Sequence, residues 1–586
     1  MTSTSAPSGQ AVPSARTALI ERFTGPGQPF EMGERPVRGL PTRVYTTGPQ
    51  TLRDIGMGLG AFGDRPFLVY RDERWTYAEQ GRIIAGLARC LRGNYGLRKG
   101  DRLAVAMRNY PEWTPVFWAC QLLGVVVVPL NAWWTAAELD YALGDATPRV
   151  IVADAERTAL IAPLLNGTDG PESGRPALIE VRGTGDPAPG ARRWEDLLAS
   201  LDPEATPPDA EVDPDDDATI MYTSGTTGRP KGAVATHRNH VTNLLNTALG
   251  GFVSAALANG GEPVAPDPEA PQPGTLCTFP LFHIAGMTAL YASALVGSRL
   301  VTQYKWDLDE ARELVRRERL TGVSGVPSVL RQLVADAAAH PADYGSLLGI
   351  AMGGAPIPPD LVTRIGDGTF DLPVAPSNGY GLTETTSAVV SNAGADYLAR
   401  PDSVGRPTPG MEVRVADPAT GREVAEGEVG ELWFYGPNIV RGYWNNPAAT
   451  AEAFTDGWFH TGDLGRVAGG WVYVVDRLKD VIIRGGENIY CVEVEAALFE
   501  HPGIGDVAVI GIPDPALGEE AVAVVVPKPG EALTADQVRR HVAGRLASFK
   551  VPAHVVFQSE PLPRTASGKV LKRELRSAVA AQVGAP

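Results

Sequence analysis

The stretch M-Y-T-S-G-T-T-G-R-P-K-G (221–232) crowds hydroxyl side chains, glycines and one lysine into a single short loop. Gly225 and Gly228 leave the backbone bare, so that N–H groups can close on phosphate oxygens. The hydroxyls of Thr223, Ser224, Thr226 and Thr227 add donors, and Lys231 adds a positive charge. That is the chemistry of a polyphosphate cradle. It is not the Walker pattern, because no lysine directly follows a second glycine after four spacers. Glu384, within N-G-Y-G-L-T-E-T (378–385), is the hard oxygen ligand that Mg2+ takes together with phosphate oxygens. Asp463, after a glycine in W-F-H-T-G-D (458–463), suits a carboxylate accepting hydrogen bonds from both ribose hydroxyls. Taken singly, such Asp, Glu, Arg and Lys residues are most often solvated surface groups. G-L-G-A-F-G (58–63) has dinucleotide-loop spacing but precedes a strand, so it closes a helix instead of opening one.

These residues need a scaffold. Apolar runs at 67–70, 102–107, 124–130 and 150–153 read as buried strands, and Thr76 to Leu91 and Pro111 to Leu123 carry helical spacing between them. The alternation predicts an α/β fold with a parallel-rich sheet flanked by helices. Short, Gly-punctuated strands from about 400 to 476 predict a small β-rich subdomain. A helix from Val492 to Phe499, two apolar strands and a helix over Ala535 to Leu546 then predict a separate α+β domain. The expected division is a mobile tail at 1–45, a large domain at 46–476, a hinge at 477–480, a small mobile domain at 481–577 and a tail at 578–586.

At 586 residues the chain exceeds a single core. A net charge of −16 excludes nucleic acid as a partner and argues against docking on an anionic membrane. The longest apolar stretch, ending at Leu130, is too short to span a bilayer, so no integral membrane segment is expected. Cys90, Cys120, Cys277 and Cys491 lack metal or disulfide spacing, and the N-terminus lacks a signal-peptide pattern, as expected of a cytoplasmic protein.

The phosphate loop, P-L-F-H-I-A-G (280–286), G-G-A-P (353–356), N-G-Y-G-L-T-E-T, W-F-H-T-G-D, D-R-L-K-D (476–480), R-G-G-E-N-I-Y (484–490) and P-R-T-A-S-G-K (563–569) resemble, in order, the motifs of the adenylate-forming superfamily. The acyl-CoA synthetases of that superfamily are the nearest pattern. The resemblance implies ATP, Mg2+ and coenzyme A as cofactors, with a small carboxylic acid as substrate. It implies that Thr383 contacts the α-phosphate, that Tyr380 stacks on adenine near Asn378, Gly379 and Gly381, and that Gly354, Ala355 and Pro356 line the nucleotide site. Thr223 and Glu384 would serve the metal, and Asp463 and Arg477 the ribose and phosphate. Lys569 would bridge the acid carboxylate and the α-phosphate, since attack of one anion on another needs a cation. His283 would lie near the acid. Lys479, counted with the nucleotide site, would mark the hinge without a catalytic role, and Gly485 and Gly486 would line the thiol tunnel. An acceptor other than coenzyme A, including a carrier-protein thiol, stays open, as does a homodimer.

Overall fold

The valine run at 126–129 becomes a strand with all four residues buried, as a strand covered on both faces must be. In this computed structural model, residues 14–165, 175–223, 229–265, 267, 270–565 and 568–583 are described. The valine strand belongs to a seven-stranded sheet ordered 231–236, 217–223, 126–129, 102–106, 150–154, 177–181, 191–193. Only the pairing of the first two is antiparallel.

A second sheet has nine strands, ordered 406–407, 387–393, 375–382, 349–353, 322–325, 274–277, 299–302, 66–70, 73–76. Its central strands, from 375–382 to 66–70, run parallel. Helix Trp113–Leu123 is buried on every side, as its unbroken apolar composition requires. Its Trp113, Phe117 and Trp118 share one core with Tyr77, Leu244 and Tyr291. Helix His237–Ala258 is long and apolar enough to cross a membrane by length and composition. Several of its buried polar side chains nevertheless find partners within the fold, although His237 Nε2 has none among the described residues. His240 Nε2 lies 2.9 Å from Thr219 Oγ1, and Asn239 donates to the Pro437 carbonyl at 2.7 Å.

The start of the chain departs from expectation. Residues 14–45, read as part of a mobile tail, form helix Ala15–Phe23 and a hairpin of Met32–Val37 with Leu40–Tyr45. Phe23 and Phe30 pack on Phe252 with ring centroids 5.0 and 5.6 Å away. A few aromatic anchors outweigh the Pro/Gly/Ser-rich composition; residues 1–13 lie outside the described residues.

An antiparallel sheet holds strands 412–416, 430–435, 454–455, 458–468 and 471–477. A last sheet, of strands 482–484, 487–489, 504–514, 518–527 and 554–557, has its own core of Val494, Leu498, Val509, Val525 and Val538. Asp476, at the end of strand Trp471–Arg477, ties this unit to the rest. Its carboxylate accepts the backbone N–H groups of Cys491 and Val492, where helix Cys491–Phe499 begins. Burial pushes its pKa up to about 6.

Candidate active site

The phosphate loop joins antiparallel strands Asp217–Thr223 and Lys231–Thr236, with Thr223 opposite Lys231 at its neck. Ser224, Gly225, Thr226, Thr227 and Gly228 lie outside the described residues. The segment 441–444 lies along the second strand, with the Trp444 N–H donating to the Gly232 carbonyl at 2.7 Å. This brings the Tyr443 ring to 5.2 Å from Lys231 Nζ, while its hydroxyl donates to Glu384 Oε1 at 2.8 Å.

Asn378 and Gly379 pair in register with Met352 and Gly353, so the two glycine-bearing motifs meet at one edge. Gly354, Ala355 and the exposed Pro356 follow directly. After Gly381 the chain turns through Thr383–Thr385, and Thr386 and Ser387 then take left-handed conformations, φ 47 and 77. Backbone strain of this kind persists only where its surroundings enforce it. It sets Glu384 facing Tyr443.

Asp463 lies opposite Arg477 across adjacent strands. Arg477 Nε is 2.8 Å from one carboxylate oxygen, and the Tyr380 hydroxyl donates to the other at 2.7 Å. Asp463 raises the Arg477 pKa, and burial together with Asp463 pushes the Tyr380 hydroxyl well above its ordinary value. The Tyr380 ring is tilted 6.0 Å from Phe434.

Lys569 comes from the last unit and enters this cleft. The Thr565 N–H donates to the Lys569 carbonyl at 2.7 Å. Arg564 holds the Gly568 carbonyl at 2.7 Å and Asp506 at 2.6 Å. Gly568 has φ +81, and a Cβ there would stand 3.0 Å from Val326 Cγ2 of the large unit. Gly354 faces the same Val326 and Phe279. The ammonium therefore comes within electrostatic range of Arg477, Asp463, Glu384, Lys479 and His283. Being surrounded by protein lowers its pKa to about 8; Arg477 and Lys479 lower it too, against Asp463 and Glu384. The side chain keeps solvent contact, so this is a lysine within an open cleft, not one sealed in a core.

His283 starts helix Ile284–Val296, and its Nδ1 accepts the Ala285 N–H at 3.3 Å, which leaves the proton on Nε2. Burial, then Lys569, lowers its pKa to about 4. Gly485 and Gly486, at φ 59 and 89, form an exposed hairpin tip between Ile482–Arg484 and Glu487–Ile489. A Cβ on Gly485 would meet Leu517 of the same unit at 3.4 Å, and one on Gly486 would meet open space. The structure does not bring them to the Lys569 cluster.

Among the described residues, no group of three or more His, Cys, Asp or Glu side chains could hold a metal. Glu384 is 8% exposed and has no ion-pair partner among them. One buried carboxylate beside a phosphate site fits Mg2+, which draws its remaining ligands from phosphate and water.

The profile of the AMP-binding enzymes matches residues 59–444, and that of the AMP-binding enzyme C-terminal domain matches residues 493–569. The chain belongs to the adenylate-forming, AMP-binding enzymes. A feruloyl-CoA synthase of Amycolatopsis sp is 40% identical to this AMP-binding enzyme over 504 residues, covering 86% of the chain and 93% of the relative. The long-chain-fatty-acid–CoA ligase FadD13 of Mycobacterium tuberculosis is 34% identical, covering 87% and 94%. ATP-bound MatB from Rhodopseudomonas palustris superimposes with a TM-score of 0.75 at 30% identity, over 89% of this chain and 98% of that one. MenE from Bacillus subtilis, solved with ATP and a magnesium ion, gives 0.72 at 29% identity, over 89% and 98%.

Three residues of this enzyme's site region escaped the sequence reading. Tyr443 carries no periodic signal and meets Glu384 only through the fold. Asp476 ends the large domain in the sequence division, where nothing marks the two backbone N–H groups that it accepts. Lys572, in the charged stretch K-V-L-K-R-E-L-R (569–576), is largely buried and 2.7 Å from Glu495. A run of charges does not reveal which member faces inward.

Proposed function

We propose that this enzyme activates a carboxylic acid with ATP and passes the acyl group to coenzyme A, giving acyl-CoA, AMP and pyrophosphate. The observation that carries the reading is Lys569, delivered by the small unit into a cleft with Asp463, Arg477, Glu384 and His283. In the first step a carboxylate oxygen bonds to the α-phosphorus and the bond to pyrophosphate breaks. Lys569 stabilises charge on the reacting oxygens, Lys231 and Thr223 hold phosphate, and Asp463 orients the ribose. Bound Mg2+, held by Glu384 and Thr223, would neutralise phosphate charge.

In the second step the unit at 481–577 turns about 477–480, with Lys479 as the pivot. This withdraws Lys569 and presents the Gly485–Gly486 tip to the cleft. The thiolate of coenzyme A then bonds to the acyl carbon and AMP leaves. Neutral His283 faces the acid without adding a charge that would bind it as a salt. Phe279 and Val326 pack around Gly354 of the G-G-A-P motif, and this apolar surrounding together with the 40% identity to a feruloyl-CoA synthase favours an aryl acid. The four buried, unpaired cysteines fit a reducing cytoplasm.

A pyrophosphate-release screen over aryl, fatty and amino acids, run with and without coenzyme A, tests this. Aryl acids giving AMP and thioester only with coenzyme A would support the reading. No pyrophosphate with any acid would overturn it.

A further inference from the structure

Lys231 and Glu384 bear opposite charges at one end of the cleft, yet among the described residues neither makes an ion pair. Tyr443 stands between them. Its face lies toward Lys231 Nζ, 5.2 Å from the ring centroid, and its hydroxyl donates to Glu384 Oε1 at 2.8 Å. The ring is braced. Phe454 meets it edge-on at 6.3 Å, and its own N–H donates to Thr450 Oγ1 at 2.9 Å. Its backbone bridges Ala233, and Arg441 grips Asp217 through two contacts of 2.6 and 2.8 Å. The strand that carries Lys231 therefore also fixes the spacer.

We propose that Tyr443 is a positioning residue that keeps Lys231 and Glu384 apart, leaving the cation free for phosphate and the carboxylate aimed for the metal. Both side chains contact the same tyrosine, and without it the lysine and the glutamate would be free to move toward a direct pair. Each would then be lost to its ligand until the pair was broken. The phenol solves this with its two unlike ends: the electron-rich face attracts the ammonium, and the O–H orders the carboxylate.

The inference rests on the proposed nucleotide reading, and the test separates the two. Calorimetric titration of the full chain with ATP, with and without Mg2+, needs no turnover. Wild-type enzyme that fails to bind Mg2+–ATP would refute the nucleotide reading itself. If it binds, Tyr443→Phe keeps the spacer but frees Glu384. It should bind metal-free ATP like wild type yet require about tenfold more Mg2+ for half-saturation. Tyr443→Leu should also weaken metal-free ATP binding about tenfold, because Lys231 is then captured. In a Glu384→Gln background, Tyr443→Phe should leave the Mg2+ requirement unchanged, since its effect runs through that carboxylate. Should the leucine variant fail to fold, the phenylalanine variant and this cycle still decide. An unchanged Mg2+ requirement in Tyr443→Phe, an equal loss of ATP with and without Mg2+, or a full effect persisting beside Glu384→Gln would each overturn the proposal.

Discussion

Lys569 can stabilise two reacting anions only while protonated, and its surroundings lower its pKa to about 8. The cationic fraction is complete well below that value and falls as pH rises through it. Adenylation kcat/KM, which reports the free enzyme, should therefore decline above about pH 8, about tenfold per unit once past it. A flat profile to pH 10 in pyrophosphate exchange would contradict this assignment. Asp463 offers a second test at the same scale, because it accepts from Tyr380 and pairs with Arg477. Asp463→Asn removes the charge that balances the arginine, at a cost of about 1.5–3 kcal/mol. ATP affinity should fall by one to two orders of magnitude, measured by equilibrium binding, while the affinity for acid alone stays unchanged.

Among the elements, the turn that carries Lys569 depends on close approach. Gly568→Ala would place a Cβ at 3.0 Å from Val326 in a left-handed backbone, costing about 1–3 kcal/mol of docking. Adenylation should slow about tenfold or more, and Val326→Ala in the same chain should recover part of it. No recovery would mean that the two surfaces do not meet during the step. The sequence conveyed much of this layer. Apolar runs marked the parallel strands, because strands buried on both faces cannot hide their composition, and the helix starting at Cys491 announced the last unit. What it could not convey was pairing across long separations. Tyr443 meets Glu384 through the edge pairing of 441–444, and Lys572 turns inward to Glu495 from within a run of charged residues. The start of the chain hides its order for a related reason: its few aromatic anchors count only when Phe252 is there to receive them.

At the scale of the whole molecule, two half-reactions at one cleft require the small unit to present two faces in turn. Asp476, just before the proposed pivot, accepts the Cys491 and Val492 N–H groups and so ties the small unit to the large one in the arrangement that the structure shows. Asp476→Ala removes that latch, with a loss of about 1–3 kcal/mol for the unpaired groups. It should shift the population away from the Lys569-inward state, seen as faster proteolysis at 477–480 and slower adenylation. Unchanged cleavage would show that the contact does not control the motion. The decisive measurement separates the two half-reactions in Lys569→Ala. Pyrophosphate release from acid and ATP should drop by at least a thousandfold, as for loss of a group that stabilises the transition state. Thioester formation from supplied acyl-adenylate and coenzyme A should proceed near the wild-type rate. Equal loss of both, or persistence of the first, would contradict a lysine that serves one step and then withdraws.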